Sequence, residues 1–260
     1  STVYSTIVSS QLDADRLDFL CRDRYFTGVK GQEIDIEWLF DSLEIHEVPV
    51  EIEVDATEWS LVVSRKGVPA VEQYLLAYSQ LYSTVYFHKT TRSVQFLVGD
   101  IIKSVLDDQA LNEELSQQAP LIQFFTGKND LGSYLTLDDS AVLSLIGALA
   151  NREYGRPTSL ARRYLTRDLY KCFEPPHPVD GSPPPSRVMT FRQSLREAEI
   201  QFHHDVVPRK TYKQFEVNSE DFLENILVSP TGNPKDCVSI GSVSPVVKNL
   251  PTALTVRYYF

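Results

Sequence analysis

Sulfur and positive charge are both scarce in this chain. Three cysteines, Cys21, Cys172 and Cys237, and a single methionine occur in 260 residues. The cysteines are odd in number and far apart, so they form neither a disulfide framework nor a Cys-x-x-Cys zinc pair. A reducing, cytoplasmic compartment is the expectation. Lysine and arginine total 25 against 35 aspartates and glutamates, a net charge of −10. That balance argues against nucleic acid as a partner, because a broad footprint needs cationic surface to displace counterions. It leaves room for a small basic pocket. Long apolar runs are missing too. The longest, Ala141 to Ala150, is interrupted by Ser144 and Gly147 and falls short of the roughly 20 residues that cross a bilayer. No signal-peptide pattern opens the chain, so no membrane association is expected. The chain starts at Ser1 without a methionine, as expected of a fragment or a processed product. The Gly-x-x-x-x-Gly-Lys phosphate loop and the Gly-x-Ser-x-Gly elbow are absent.

What is present reads as an ordinary globular chain, 42% hydrophobic and 23% charged, long enough to bury a core as one or two domains. Residues 10–25 read as helix, broken by Gly28 and Gly31, with helical periodicity resuming from Ile34 to Leu43. Alternation at Val48–Val54 and Trp59–Val63 predicts a short hairpin. Pro69 opens a long helix whose apolar stripe runs through Tyr74, Tyr78, Tyr82 and Val85, then from Val94 to Val105, ending near Asp107. Asp138 and Asp139 cap a helix to about Ala150, and Pro157 starts another that ends near Cys172. Residues 174–186 are too proline-dense for helix or sheet and read as a linker or surface loop. Strand-like runs follow at Ile200–Val207, Leu223–Val228, Val238–Val243 and Thr255–Phe260. The expected fold is mainly α, a helical body over 1–173, with a smaller C-terminal α+β lobe over 187–260.

The densest chemistry lies between Ser9 and Asp23. Asp13, Asp15, Asp18 and Asp23 with Arg16 and Arg22 crowd into eleven residues, behind Ser9 and Ser10 as candidate caps. At roughly 100° per residue, Asp15, Arg16, Phe19 and Asp23 share one face, while Ala14, Leu17, Leu20 and Cys21 fall opposite, where a core would lie. A carboxylate, a cation, a ring and a second carboxylate on one face suit a metal, a phosphate, a sugar face and a sugar hydroxyl. The same pattern also describes a plain solvated helix.

Ser9-Ser10-Gln11-Leu12-Asp13-Ala14-Asp15-Arg16-Leu17-Asp18-Phe19-Leu20-Cys21-Arg22-Asp23 resembles the last metal-ligand motif of HD-domain phosphohydrolases, in particular the deoxynucleoside triphosphate triphosphohydrolases. Val85-Tyr86-Phe87-His88-Lys89-Thr90-Thr91-Arg92 is similar to a second family motif at the expected distance, and Arg167-Asp168-Leu169-Tyr170-Lys171 to a third. The resemblance implies an HD-like helical body and hydrolysis of deoxynucleoside triphosphates to nucleoside and tripolyphosphate. It implies a divalent metal (Mn, Mg, Fe, Ni or Zn) with Asp15 as catalytic ligand, alongside an upstream His and His-Asp pair that nothing in this sequence matches. Arg16 is implied to contact phosphate, Phe19 and Asp23 the sugar, and Tyr86 the sugar and base. His88, Lys89, Arg167 and Lys171 match residues that hold an activator nucleotide, and homo-oligomers are implied. His203-His204-Asp205 lies on the wrong side of Asp15, in a strand-like segment.

Two departures stand out. Phe19 takes the place of a common tyrosine, and Tyr78 the place of an arginine that clamps terminal phosphates in relatives. With one ligand of the metal set, residues 1–260 alone are expected to be inactive. The alternative is a non-catalytic module for nucleotide sensing and oligomerisation.

Overall fold

The computed structural model describes residues 3–31, 33–49, 57–127, 130–175, 186–208, 211–215, 222–250 and 254–260. The chain forms two compact units, and neither is continuous in sequence. The first comprises 1–88 and 207–255, the second 89–206 and 256–260. Residues 187–260 are therefore shared between the two units. Mainly helical structure with a smaller sheet content matches the expected fold class. The proline-rich stretch lies largely outside the described residues.

The first unit begins with α1 (Val3–Val8), α2 (Ala14–Thr27), α3 (Ile36–Asp41), β1 (Leu43–Pro49), β2 (Thr57–Ser64) and α4 (Val68–Leu81). Leu43 pairs with Val63 and Pro49 with Thr57 across an antiparallel ladder. The second expected strand forms within β2, but β1 starts at Leu43 rather than Val48 and shares only Val48 and Pro49 with the expected first strand; residues 50–56 lie outside the described residues. The expected long helix from Pro69 to Asp107 is divided. After α4 comes one wide, π-type turn at Tyr82–Tyr86, and helix resumes only at Lys89. Ser83 and Thr84 direct their hydroxyls to the carbonyls of Ser79 and Gln80, a local competition that loosens a helix.

The second unit holds α5 (Lys89–Leu106), α6 (Gln109–Leu115), α7 (Pro120–Phe125), α8 (Leu131–Leu135), α9 (Asp139–Ala150), α10 (Arg156–Thr166), β3 (Cys172–Phe173) and α11 (Ser186–Glu197). The chain then passes through β4 (His203–Pro208), β5 (Leu227–Ser229), β6 (Val238–Ser239), α12 (Ile240–Val243), α13 (Pro245–Lys248) and β7 (Leu254–Tyr259). Asp138 caps α9 as expected, accepting from the Ala141 amide. The run from Val238 to Val243 is strand only for two residues before it turns into α12. One sheet has the order β1-β2-β5-β6, the other β3-β7-β4.

The parallel register Val62↔Leu227, Val63↔Val228 brings β5 back to the first unit. Its core joins Leu17 and Leu20 of α2, Val71, Tyr74 and Leu75 of α4, Val228, Ile240 and Val247. The second unit packs Leu97 and Ile101 of α5 against Ile122, Ile146, Leu149 and Leu160. Each such buried aliphatic side chain contributes about 1.5–3 kcal/mol. Among the described residues no helix is long and apolar enough to cross a membrane.

Candidate functional site

Asp13, and neither Ser9 nor Ser10, caps α2. Its Oδ1 accepts from the Arg16 amide at 2.7 Å, and its Oδ2 accepts from the Ser10 amide at 3.2 Å. The same carboxylate meets the Arg16 guanidinium, Nε to Oδ2 3.3 Å. Asp13 is buried, whereas Asp15 is exposed. Leu17 and Leu20 define the core-facing stripe, while Ala14 and Cys21 are exposed, against expectation. The two leucines bury more apolar surface than the small flanking residues and set the helix rotation. Gly28 ends the helix with φ 66°, a left-handed turn that glycine adopts without strain.

Opposite α2 in the same unit, Tyr78, Tyr82 and Tyr86 follow at four-residue intervals down α4 and its wide turn. Tyr78 stacks on Tyr82, ring centroids 4.3 Å apart, and Tyr82 meets Tyr86 at 4.8 Å. Phe19 reaches from α2 to Tyr86 edge-on at 6.1 Å and to Tyr78 at 6.5 Å. The Tyr86 hydroxyl donates to Asp23 Oδ2. Burial first, then the Asp23 carboxylate, pushes the Tyr86 phenol far above its ordinary range, so it is a donor at neutral pH. The Arg16 guanidinium carbon lies 5.8 Å from the Tyr78 ring centroid, within cation–π reach.

Of the residues singled out by sequence, Arg16, Phe19, Asp23 and Tyr86 thus come together on one face of the first unit. Arg167 and Lys171 do not share a helix. Helix α10 stops at Thr166, and Arg167 turns left-handed at φ 57°. Lys171 is extended, its amide donating to the Phe260 carbonyl at 2.9 Å. The Asp168 amide closes the end of α10 on the Arg163 carbonyl, the Tyr170 carbonyl accepts from the Ser93 hydroxyl, and Lys171 exchanges backbone bonds with Phe260, so the segment leaves the helix. His88 precedes α5 and Lys89 begins it, both exposed. His203 sits in strand β4, its Nε2 2.8 Å from Asp100 Oδ2.

Among the described residues no three of His, Cys, Asp and Glu converge as metal ligands. Asp15 is a single exposed carboxylate, so the described residues do not make a metal centre by themselves.

Sequence reasoning placed Tyr74 on the buried stripe of α4, and missed its hydrogen bond to Gln11 and the parts played by Gln11 and Lys213. The Tyr74 side chain is fully buried and its hydroxyl donates to the Gln11 carbonyl at 2.7 Å. A cavity of about 390 Å³ is lined by Ser10, Gln11, Arg16, Tyr78, Lys213 and Glu224 among others. A larger, more apolar cavity of about 700 Å³ opens by Cys21, Arg24, Gly31 and Gln80, and no residue of the Asp15–Asp23 face just described lines it.

The fold resembles two solved structures over 99% of this chain. One is a phosphohydrolase from Bacteroides thetaiotaomicron, TM-score 0.65 at 21% identity, with 62% of that chain covered. The other is a hypothetical protein from Aquifex aeolicus, TM-score 0.67 at 22% identity, with 56% covered. At such identities the likeness establishes the fold alone. Among curated sequences, the uncharacterized protein YwfO of Bacillus subtilis is 32% identical over 173 residues, 65% of this chain and 37% of the relative. An uncharacterized protein of Methanocaldococcus jannaschii is 27% identical over 165 residues, 64% of this chain and 30% of the relative. The chain thus spans about a third of the length of these relatives. The family model described as the HD associated region matches residues 51–256, taking in Tyr78, Tyr86 and Lys213 but not α2. A match over that much of the sequence makes the chain a member of the HD-associated region family.

Proposed function

We propose that this chain is the substrate-facing C-terminal part of an HD-type, metal-dependent phosphohydrolase that cleaves deoxynucleoside triphosphates to nucleoside and tripolyphosphate. The observation that carries the reading is the convergence of Arg16, Phe19, Tyr86 and Asp23 in one unit. The planar guanidinium of Arg16 suits phosphate oxygens. The Phe19 and Tyr86 rings offer an apolar wall to a sugar and base. Asp23, with Oδ2 held by Tyr86, presents its other oxygen to a sugar hydroxyl. Membership of the HD-associated region family and a fold neighbour named as a phosphohydrolase support the hydrolase part. A divalent metal would supply an activated water. Asp15 does not hold one alone, so the reading requires a His and a His-Asp pair from outside this sequence. A cytoplasmic homo-oligomer with an activator nucleotide near His88 and Lys89 belongs to the same proposal.

The test uses the complete gene product with each deoxynucleoside triphosphate and manganese or magnesium, following nucleoside and tripolyphosphate. Release is expected, with loss in Asp15→Ala and no turnover by residues 1–260 alone. A folded protein that releases neither product overturns the reading. The alternative is then a nucleotide-sensing and oligomerisation module, favoured by the uncharged Tyr78, whose ring is committed to Tyr82.

A further inference from the structure

Lys213 is remote from α2 in sequence yet lines the same cavity as Arg16 and Tyr78. Its backbone is fixed to the loop before α2 by the Gln11 side chain, which acts like a strand partner. Gln11 Nε2 donates to the Lys213 carbonyl at 2.7 Å, and the Lys213 amide donates to Gln11 Oε1 at 2.7 Å. The same Nε2 donates to the Glu224 carbonyl at 3.0 Å. Gln11 is itself anchored by the buried Tyr74 hydroxyl. Lys213 therefore begins from a rigid base. Its ammonium lies 4.1 Å from the Phe215 ring centroid, a cation–π contact that holds the stem against the cavity wall.

Among the described residues the cavity walls carry two cations, Arg16 and Lys213, and one acid, Glu224, with Arg16 also paired to Asp13 behind the wall. Ser9, Ser10 and Thr211 add hydroxyls. Burial first, then the neighbouring Tyr82, raises the Tyr78 phenol far above its usual range, so Tyr78 offers a proton and no negative charge. A space of about 390 Å³ admits a chain of phosphates as well as a single one. The two cations differ in kind, one a planar fork and one a mobile point charge, a combination that suits several oxygens at different depths.

We propose that this cavity is an oligophosphate subsite in which Lys213, positioned by Gln11, is the second cation beside Arg16. The assignment rests on the substrate-facing reading of α2 and names where the phosphate tail lies. Tyr78 contributes a hydrogen bond there, and Lys213 the charge.

The probe is inorganic tripolyphosphate, titrated calorimetrically into residues 1–260, with orthophosphate for comparison. Tripolyphosphate is expected to bind at least about tenfold tighter than orthophosphate, and Lys213→Gln to weaken it about tenfold, as for one charge-assisted hydrogen bond. Lys213→Arg is expected to retain binding. Lys248→Gln, an exposed lysine of the same unit outside the cavity, is expected to change nothing. Unchanged affinity in Lys213→Gln, or an equal loss in Lys248→Gln, overturns the subsite. In the complete gene product, Lys213→Gln is expected to raise KM for a triphosphate and leave kcat nearly unchanged. Deoxynucleotide hydrolysis with a KM unmoved by Lys213→Gln overturns the inference and keeps the phosphohydrolase. Lys213-dependent tripolyphosphate binding without any hydrolysis overturns the phosphohydrolase and keeps the subsite.

Discussion

Asp13 and Asp15 stand two positions apart and face different environments. Asp13 is 6% exposed, caps α2 and pairs with Arg16; Asp15 is exposed. Asp13→Ala leaves the Arg16 amide uncapped and the guanidinium without its partner. A loss of about 1–2 kcal/mol is expected, read as a lower Tm in thermal denaturation. Asp15→Ala is expected to shift stability by no more than about 0.5 kcal/mol, and under the proposed function to abolish turnover by the complete gene product. Equal destabilisation by the two variants would show that Asp15 serves the fold. Tyr86→Phe keeps the ring against Phe19 but removes the donor to Asp23. About 1 kcal/mol of stability is expected to go with it. Gly67 carries a different constraint. A Cβ there would run into the Ser42 Cβ and approach Val63 Cγ1 to 2.8 Å, so Gly67→Ala is expected to cost about 1–3 kcal/mol by overpacking.

Among the elements, those with strong periodicity and a cap were legible from sequence. Helix α9 follows from Asp138 and a largely apolar run, and β2 follows from alternation, whereas β1 starts five residues before the alternation that announced a strand. The break between α4 and α5 was not, because the apolar stripe runs on through Val85 and Val94 while the interruption comes from Ser83 and Thr84 bonding their own backbone. The end of α10 was hidden for another reason: Lys171 exchanges its helical bonds for a two-bond bridge to Phe260, a partner no local pattern announces. The candidate face on α2 was legible through spacing, but Lys213 joins it only through a tertiary pairing with Gln11.

Strand β4 carries a testable pH effect. His204 stacks on Tyr258 with centroids 5.0 Å apart. Burial first, then Arg192, lowers its pKa, against an opposing pull from Asp205. The unfolded imidazole, at about 6.5, therefore takes up a proton before the folded one does. The contribution is complete above that pH and is lost as pH falls through and below it. Tm is expected to drop from pH 7.5 to pH 5.5 more steeply in the native chain than in His204→Gln; parallel slopes would exclude the imidazole as the cause.

At the scale of the whole molecule, the first unit is built from chain segments that lie more than a hundred residues apart. Strand β5 enters its sheet beside β2 in parallel register, which needs a long crossover connection, and here that connection is an entire second unit. Ile226, Val228, Ile240 and Val247 belong to the same core as Leu17, Leu20 and Tyr74. The face of α2 that presents Arg16, Phe19 and Asp23 therefore depends on residues 207–255 for its backing. A chain ending at residue 206 would lose these side chains and expose Val62 and Val63, which are at most 1% exposed in the intact unit. At about 1.5–3 kcal/mol for each buried aliphatic side chain, four such losses are comparable to the total stability of a domain, about 5–15 kcal/mol. The second unit, whose core lies within residues 97–161, keeps that core in the truncated chain. Residues 1–206 are thus expected to show a cooperative thermal transition for the second unit alone, with amides of α2 and α4 unprotected in hydrogen exchange. Protection of α2 and α4 equal to that in the full chain would mean that the first unit assembles without its returning segment, and that Gln11 and Tyr74 hold the candidate face in place with no help from Lys213.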